Sequence, residues 1–461
     1  MFPPFPQEAA RKYCCELIAA INEGSVNLVQ ISQESEERKN QGIMVGCLVC
    51  KNKITDEQTV LFALSGYAKE LSVQKIKLSD CEGFVVPSLV SSSQIAGAIS
   101  KNDLLIHQLT EQINLLRCSK KNPEELAELE LKRKSLCDES LRNVFSLYEF
   151  TRFDGKKISL NEIICKRGNV LPPTGTGDCC APKLLCYAFA NNLIPLSMDE
   201  IFFGNSTKNK ESGCSYPPCD ERCGFILPEI LGLEILYRDE SIVIVNKQSG
   251  LLSVPGRGED KQDCIVTRLK RLFPDCIEQP SVHRLDMETS GLLILAFTKE
   301  AHRAMNMQFE KGTVHKKYVA LLDGILERSS GKMAPKNGQT EGVMELKFRL
   351  DVDNRPHQIY DEVYGKNGIT EWKKDGTVVY ENPANGERKH VTKVIFIPHT
   401  GRTHQLRLAS SDSHGFGLPI IGDTLYGTCS EGQRLMLHAF EIEFDHPVTG
   451  QKMHFECKSP F

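Results

Sequence analysis

The segment best suited to chemistry runs from Ser281 to Leu293 and reads Ser-Val-His-Arg-Leu-Asp-Met-Glu-Thr-Ser-Gly-Leu-Leu. It places Arg284 and Asp286 just before an apolar run typical of a buried strand, with a Thr-Ser-Gly turn between them. A carboxylate that is held there and partly removed from water can act as a nucleophile or a base. Taken alone, however, this Arg–Asp pair is better explained as part of a solvated surface loop.

A second candidate site is a group of cysteines in the first half of the chain. Cys179 and Cys180 are adjacent, and Cys219 and Cys223 follow with three residues between them. Four thiolates can hold a structural zinc ion, and the spacing of the second pair lies within the range of a metal knuckle. Adjacent cysteines are less typical ligands, because neighbouring side chains diverge. Two alternatives therefore stay open: a four-thiolate zinc site, or reduced and partly buried thiols.

The longer string around Asp286 resembles the His-Arg-Leu-Asp-x-x-Thr-Ser-Gly signature of the RluA-type pseudouridine synthases. Other segments resemble further motifs of that family, in the family's order: Val245–Leu252 (early strand and turn), Lys316–Ala320 (tyrosine motif), Gly401–Arg407 (arginine motif), Pro419–Gly427 and Leu435–Ala439. The resemblance extends over residues 231–461, roughly half of the chain. The first half resembles a region of longer RluA-like proteins and has no copy of the small RNA-binding domain that many relatives carry.

The resemblance implies an enzyme that isomerises specific uridines to pseudouridine in structured RNA and needs no cofactor for catalysis. Asp286 matches the essential aspartate, which either attacks the sugar or removes a proton from it. Arg402 matches the arginine that pairs with this aspartate and keeps it ionised. Tyr318 matches the tyrosine that packs against the base. Arg284 matches the arginine that fills the stack when the target nucleotide is flipped out.

The elements that must position these residues predict an α+β fold. Strand signals in the second half, such as Glu234–Arg238, Ile242–Asn246 and His315–Leu322, occur without the regular alternation of strand and helix that marks a dinucleotide fold. The resemblance implies a pseudouridine synthase fold there, with a mixed, mainly antiparallel sheet flanked by helices and loops. We assign the catalytic domain to residues 231–461.

Three regions precede that domain. Residues 1–93 are expected to form an α/β region, with a helix over 7–22 and a half-buried strand around Ile43–Val49, where apolar residues alternate. Residues 94–152 are strongly helical and broken at Lys120–Pro123, which predicts a helical hairpin. This hairpin fits equally well as an element packed on its own domain and as an arm that contacts RNA or protein. Residues 153–230 predict an irregular, cysteine-rich segment.

Composition limits the classes of function. The net charge is -4, and residues 231–461 contain 30 Lys/Arg against 31 Asp/Glu, so RNA binding must come from local placement of basic residues. Of the 18 cysteines, 14 precede residue 231, whereas 11 of the 12 histidines follow it. No long apolar run or secretory signal is present, so we expect a cytoplasmic protein with reduced thiols and no membrane partner.

The identity of the RNA is predicted from the segment Leu251–Arg257. It resembles the subgroup that acts on a large-subunit rRNA loop and a tRNA anticodon stem-loop, which are the first candidate substrates. The segments 328–345 and 382–388 differ from that subgroup and are expected to be surface loops. A catalytically silent RNA-binding or ribosome-associated protein is the competing class, and a monomer is the expected state.

Overall fold

The computed structural model describes residues 5–31, 42–66, 68–119, 123–207, 209–258, 261–335 and 338–461. The chain forms two compact units, Met1–Gly232 and Leu233–Phe461. All 18 cysteines are free thiols. Among the helices of these residues, none combines the length and the apolar character needed to cross a membrane.

The first unit is built around a five-stranded sheet. In chain order, its elements are α1 (Glu8–Asn22), β1 (Leu28–Gln30), β2 (Ile43–Asn52), β3 (Gln58–Leu64), β4 (Lys69–Leu71), β5 (Lys75–Lys77), β6 (Glu82–Val85), α2 (Ser92–Ser119), α3 (Pro123–Phe145), β7 (Glu149–Thr151), β8 (Lys157–Ser159), α4 (Leu160–Lys166), α5 (Cys180–Ala190), β9 (Leu193–Phe203) and α6 (Cys223–Leu231). The sheet order is β5-β6-β3-β2-β9, and only β3 and β6 pair in parallel within the described strands of this sheet.

The central strand β2 is buried on both faces, so the prediction of a half-buried strand is wrong. Val45, Cys47 and Val49 pack into one core with residues of α1. On the opposite face, a Cβ added at Gly46 would lie 2.4 Å from the Cβ of Cys180 in α5. The residues between the alternating ones are themselves small or apolar, which allows a second helix to pack on that face.

The predicted helical hairpin corresponds to α2 and α3, which lie against each other. Of the predicted break at Lys120–Pro123, residues 120–122 lie outside the described residues, and Pro123 is the first residue of α3. The helical prediction for residues 146–152 is wrong, because β7 occupies Glu149–Thr151 and pairs with β8. Tyr148 and Phe150 are almost fully buried. Burial of these aromatic side chains outweighs the weak helical propensity of the segment.

The segment 153–230 is not irregular, as the sequence predicts, but contains α4, α5, β9 and α6. Glycine and proline were misleading because two of the prolines, Pro182 and Pro195, lie where a regular element tolerates them, and a third, Pro228, lies inside α6. Pro182 is in the first turn of α5. Pro195 lies in β9, an edge strand, at a register shift in its pairing with β2.

The second unit holds a ten-stranded sheet. Its elements are β10 (Glu234–Arg238), β11 (Ile242–Lys247), α7 (Ile265–Leu272), β12 (Ser290–Ala296), α8 (Lys299–Lys311), β13 (His315–Leu322), β14 (Glu341–Leu350), β15 (Gln358–Tyr360), β16 (Lys366–Glu381), β17 (Arg388–Pro398), α9 (Gln405–Ser411), β18 (Leu437–Asp445) and β19 (Lys452–Glu456). The order is β10-β11-β12-β18-β13-β17-β16-β14-β15, with β19 on β18. Only β12 and β18 pair in parallel within the described sheet. The predicted mixed, mainly antiparallel sheet is confirmed.

The two segments expected to be surface loops are partly regular. In segment 328–345, residues 336–337 lie outside the described ones, and Glu341–Glu345 already belong to β14. Segment 382–388 is the turn between β16 and β17, closed by the Asn382 amide donating to the carbonyl of Glu387 at 2.8 Å.

Gly291 fixes the point where β12 meets β18. Its φ is +118°, and an added Cβ would lie 2.2 Å from the carbonyl oxygen of Ala439. Only glycine combines this backbone angle with such a close approach. The glycine of the Thr-Ser-Gly turn therefore permits the parallel pairing that positions the preceding loop, which carries Asp286.

Candidate active site

Asp286 lies on the loop that leads into β12, and that loop is held by the turn that follows β11. The Ser253 hydroxyl donates to the Leu285 carbonyl at 2.6 Å and accepts the Leu285 amide at 3.0 Å. The Ser249 hydroxyl donates to the Glu288 carbonyl at 2.6 Å. Hydrogen bonds on both sides of Asp286 therefore define the backbone position of its carboxylate.

Lys247, the last residue of β11, is the centre of this support. Its side chain is fully buried, and Nζ donates to the carbonyls of Gln248, Leu251 and Met287 at 3.0, 2.6 and 2.8 Å. Burial lowers the pKa of Lys247 to about 7, while the charge of Asp286 acts in the opposite direction. Three carbonyl acceptors match the three N–H donors of the ammonium form. Lys247 thus ties the turn to the loop through main-chain oxygens.

A cavity of about 770 Å³ opens beside Asp286. Its lining includes Asp286, Tyr318, Arg284 and Arg402, the four residues that the sequence assigns to catalysis and base flipping. The fold brings them together from three separate parts of the chain: the loop before β12, strand β13 and the loop before α9. A cavity of this size has room for a nucleotide that has been turned out of a stack.

Arg402 does not pair with Asp286 as the sequence predicts. It is exposed, and its Nε donates to the carbonyl of Asn367 at 2.9 Å. The physical reason is local: Arg402 precedes α9, whose first turn begins three residues later, so its side chain lies along the rim of the cavity. Among the described residues, the ion-pair distance found for Asp286 is to His404, whose Nε2 lies 3.9 Å from Oδ1.

The arginine that couples electrostatically to Asp286 is Arg407. It is buried, and its guanidinium makes two bonds to Asp423, Nε to Oδ2 at 2.8 Å and Nη2 to Oδ1 at 2.6 Å. Nη2 also donates to Glu288 Oε2 at 2.8 Å. Although burial opposes the charged form, Asp423, then Asp286 and Glu288, raise the pKa of Arg407. Arg407 therefore supplies a permanent positive charge behind the catalytic loop.

Tyr318 lies in the middle of β13, where the pairing with β18 shifts register between Lys317 and Tyr318. A bulge of this kind re-aims a side chain, and here the ring lines the cavity. Burial, and then the charge of Asp286, raise the pKa of the Tyr318 phenol well above its usual range. The neutral phenol is consequently the form present around neutral pH.

The two histidines near the site are held neutral by their surroundings. Burial lowers the pKa of His283 to about 3, and its Nε2 accepts the amide of Ile294 at 3.0 Å, so it supports β12. Burial also lowers the pKa of His404. The Tyr426 hydroxyl accepts the Gln358 amide at 2.7 Å and lies 2.8 Å from His404 Nδ1. The Tyr426 hydroxyl therefore holds the ring through Nδ1, and the other ring nitrogen, Nε2, faces Asp286.

Arg284 is exposed and lines both this cavity and a neighbouring one of about 340 Å³. The two cavities share Asp286, which lies between them. A planar cation at this boundary is close to the nucleotide site without being fixed in the core. That position suits a side chain that fills a gap in an RNA stack.

Three of the four candidate metal-binding cysteines meet in the first unit. The sulfurs of Cys179, Cys219 and Cys223 all lie within 4.8 Å of one another. Cys180 is not part of the group, so the predicted four-thiolate site is wrong: its Sγ lies 3.4 Å from the carbonyl oxygens of Met44 and Ala63. Successive residues at a helix start point about 100° apart, so neighbouring cysteines turn to different surroundings.

The sequence reasoning missed Lys247, Ser253 and Arg407 as supports of Asp286. Lys247 and Ser253 lie within or next to segments that carry the family resemblance, but only the fold shows which main-chain groups they bind. Arg407 is the second arginine of the Gly401–Arg407 segment. Its place inside α9, with apolar Leu406 and Leu408 on either side, was the available signal that it is the buried one.

Comparison with known proteins agrees with this geometry. Residues 241–412 match the family described as RNA pseudouridylate synthase. The dual-specificity RNA pseudouridine synthase RluA of Yersinia pestis is 38% identical over 230 residues, which are 49% of this chain and 99% of that protein. The protein of the same name from Escherichia coli (strain K12) is 38% identical over 237 residues, 51% of this chain and 96% of that protein. The solved structure of human RNA Pseudouridylate Synthase Domain Containing 1 is 27% identical and covers 50% of this chain and 84% of that one, with a TM-score of 0.38.

The family match and the two RluA relatives identify the second unit as a pseudouridine synthase, the class that the residues of the cavity also indicate. The chain belongs to the RluA-type family of RNA pseudouridine synthases.

Proposed function

We propose that this protein converts specific uridines of a large-subunit rRNA loop, a tRNA stem-loop or both into pseudouridine, with Asp286 as the catalytic carboxylate and no cofactor. The observation that supports this most directly is the position of Asp286, fixed by main-chain hydrogen bonds on both sides, at the wall of a nucleotide-sized cavity. The names of the two RluA relatives, which describe dual-specificity RNA pseudouridine synthases, support more than one RNA class as substrate.

The reaction breaks the bond between nitrogen 1 of uracil and the ribose, turns the base and joins carbon 5 to the sugar. The hydrogen on carbon 5 leaves as a proton and nitrogen 1 takes up a proton from solvent, so atoms and charge balance without a redox partner. Asp286 either attacks the sugar carbon or removes a proton from the sugar, and its place at the cavity wall serves both routes. The buried cation of Arg407 stabilises the negative charge of the carboxylate, and the His404 ring lies beside it.

The remaining residues act on the base. Extrusion of the target nucleotide costs a few kcal/mol, and stacking of the Arg284 guanidinium in its place offsets part of that cost. Tyr318 offers its ring as a packing surface for the extruded base. Because its phenol is neutral, it can take up a proton from carbon 5 only if its own proton moves on at the same time.

The decisive test measures tritium released from RNA labelled at carbon 5 of uridine. Asp286→Asn keeps the size and shape of the side chain, so we expect a folded protein with unchanged RNA affinity and release reduced by at least about a thousandfold, the scale seen when an essential catalytic group is removed. Asp275→Asn is the matched control, because Asp275 is an exposed aspartate outside the cavity. Turnover by Asp286→Asn close to that of the control would contradict the assignment.

A further inference from the structure

The group formed by Cys179, Cys219 and Cys223 in the first unit belongs to no part of the uridine chemistry. It is built where two helices begin. Cys179 is the N-cap of α5, and Cys223 is the first residue of α6. Helix starts carry partial positive charge from unpaired N–H groups, which stabilises nearby thiolates.

The three sulfurs are already arranged for a metal ion. In a tetrahedral zinc site with Zn–S bonds of about 2.3 Å, the sulfurs lie about 3.8 Å apart. The observed separations of at most 4.8 Å need only a small contraction. The loop between the last two ligands is also fixed, since the amides of Cys223 and Gly224 donate to the Cys219 carbonyl at 3.0 and 3.1 Å.

The three cysteines fill three of the four positions of a tetrahedral site. No further His, Cys, Asp or Glu among the residues that the structure describes joins the group within the same distance. Cys180 cannot turn towards it, because its sulfur is buried against two carbonyls under β2 and β3. Cys219 is exposed, so solvent reaches the group from that side. Zinc sites with three protein ligands hold water in the open position, whereas structural sites are closed by four.

A buried glutamate links the two ligand segments. Glu200 in β9 is 4% exposed, and its Oε1 accepts the amide of Ala181, two residues after Cys179, at 2.9 Å. Its main-chain carbonyl accepts the amide of Tyr216, three residues before Cys219, also at 2.9 Å. Glu200 is thus a positioning residue that holds both segments to the same strand.

We propose that Cys179, Cys219 and Cys223 bind one Zn²⁺ ion whose fourth position is occupied by exchangeable water. Bound zinc lowers the pKa of such a water towards neutrality and supplies a hydroxide for hydrolysis. Three thiolate or imidazole ligands with an open position also form the donor set of zinc enzymes that remove exocyclic amines from nucleobases. The first unit therefore holds a centre of the hydrolytic type rather than a purely structural zinc.

The metal itself is the first measurement. The full-length chain is purified with a thiol reductant and without chelators, and its zinc is measured by mass spectrometry. We expect about one zinc ion per chain, and a loss of at least about tenfold in Cys219→Ser and Cys223→Ser, as expected when one of three ligands is removed. Cys180→Ser is the matched control and should keep its zinc. Wild-type protein without zinc, or a control that loses as much as the ligand variants, would overturn the site.

The open position is tested on wild-type protein, so the test does not depend on variants that fold. Cobalt(II) replaces zinc and gives visible bands that report its ligands. We expect thiolate charge-transfer bands together with ligand-field bands that shift when pH or added azide changes the fourth ligand. Bands that respond to neither would show a closed, four-ligand site and refute the exchangeable water. Since pseudouridine formation is not the readout, failure here leaves the function of the second unit untouched.

Discussion

The sharpest prediction separates the two arginines of the segment 401–407. Arg407→Met removes a buried guanidinium but keeps much of its apolar length. Asp423, whose side chain is fully buried, then loses both of its bonds to Arg407. Breaking a buried ion pair by removing one partner costs about 3–5 kcal/mol. Arg402→Met, in contrast, removes an exposed side chain with one bond to a carbonyl, worth at most about 1 kcal/mol.

These magnitudes translate into measurable shifts. For a unit of this size, 1 kcal/mol moves the melting temperature by about 2–4 °C, so Arg407→Met should lower it by about 6–20 °C and Arg402→Met by less than about 4 °C. Calorimetry on the full chain measures both. RNA turnover is then measured as tritium release under single-turnover conditions, at a temperature well below the lower of the two melting temperatures. RNA affinity is measured separately by filter binding.

We expect Arg407→Met to reduce the single-turnover rate at least about tenfold at saturating enzyme, because the cation behind the catalytic loop is lost. Arg402→Met should instead weaken RNA binding and lower the dependence of affinity on salt by about one counterion, as for a phosphate contact on the rim. If Arg402→Met abolished turnover at unchanged affinity, while Arg407→Met stayed active, the exposed arginine would be the partner of Asp286 and our assignment would fail.

Two further predictions concern the support of the site. In the folded protein the pKa of His283 is about 3, against an ordinary value of 6.5, so between these pH values the unfolded chain binds more protons than the folded one. The contribution of His283 to the free energy of unfolding is therefore complete above pH 6.5 and is about 2 kcal/mol smaller at pH 5. Chemical denaturation above pH 6.5 and at pH 5 should show this loss of unfolding free energy in the wild type and a smaller loss in His283→Gln. Equal losses in the two proteins would count against the buried neutral ring. Lys247→Met leaves three carbonyls without a donor and should lower the free energy of unfolding by about 3 kcal/mol and remove most of the turnover. The control Lys299→Met, at an exposed helix start, should change neither. Wild-type turnover in Lys247→Met would show that the loop does not need this anchor.

The second unit was predictable from sequence because its motifs are long and ordered. The strand over His315–Leu322 begins and ends where predicted. The residues of the cavity were likewise identified by their motifs. Which arginine faces the solvent was not predicted. The apolar neighbours Leu406 and Leu408 suit a buried Arg407, but the start of α9 decides the burial, and a helix start cannot be placed that closely from propensity alone.

The first unit was less predictable, because no motif identified its core. Gly46 and Pro195 look like signs of weak structure, yet the first permits α5 to pack on β2 and the second is tolerated at a sheet edge. The cysteine site was half predicted. The spacing of Cys219 and Cys223 indicated a ligand pair, but whether Cys179 or Cys180 joins them depends on the turn of a helix that the sequence did not predict.

The way Lys247 holds the catalytic loop has a consequence for how the enzyme can change. It binds carbonyl oxygens of residues 248, 251 and 287, and every amino acid provides one. The side chain of Met287, which is 48% exposed, is therefore free to vary while the neighbouring aspartate stays in place. Met287 also lines the cavity of about 340 Å³ beside Asp286, so a substitution there can reshape that cavity while the aspartate keeps its place.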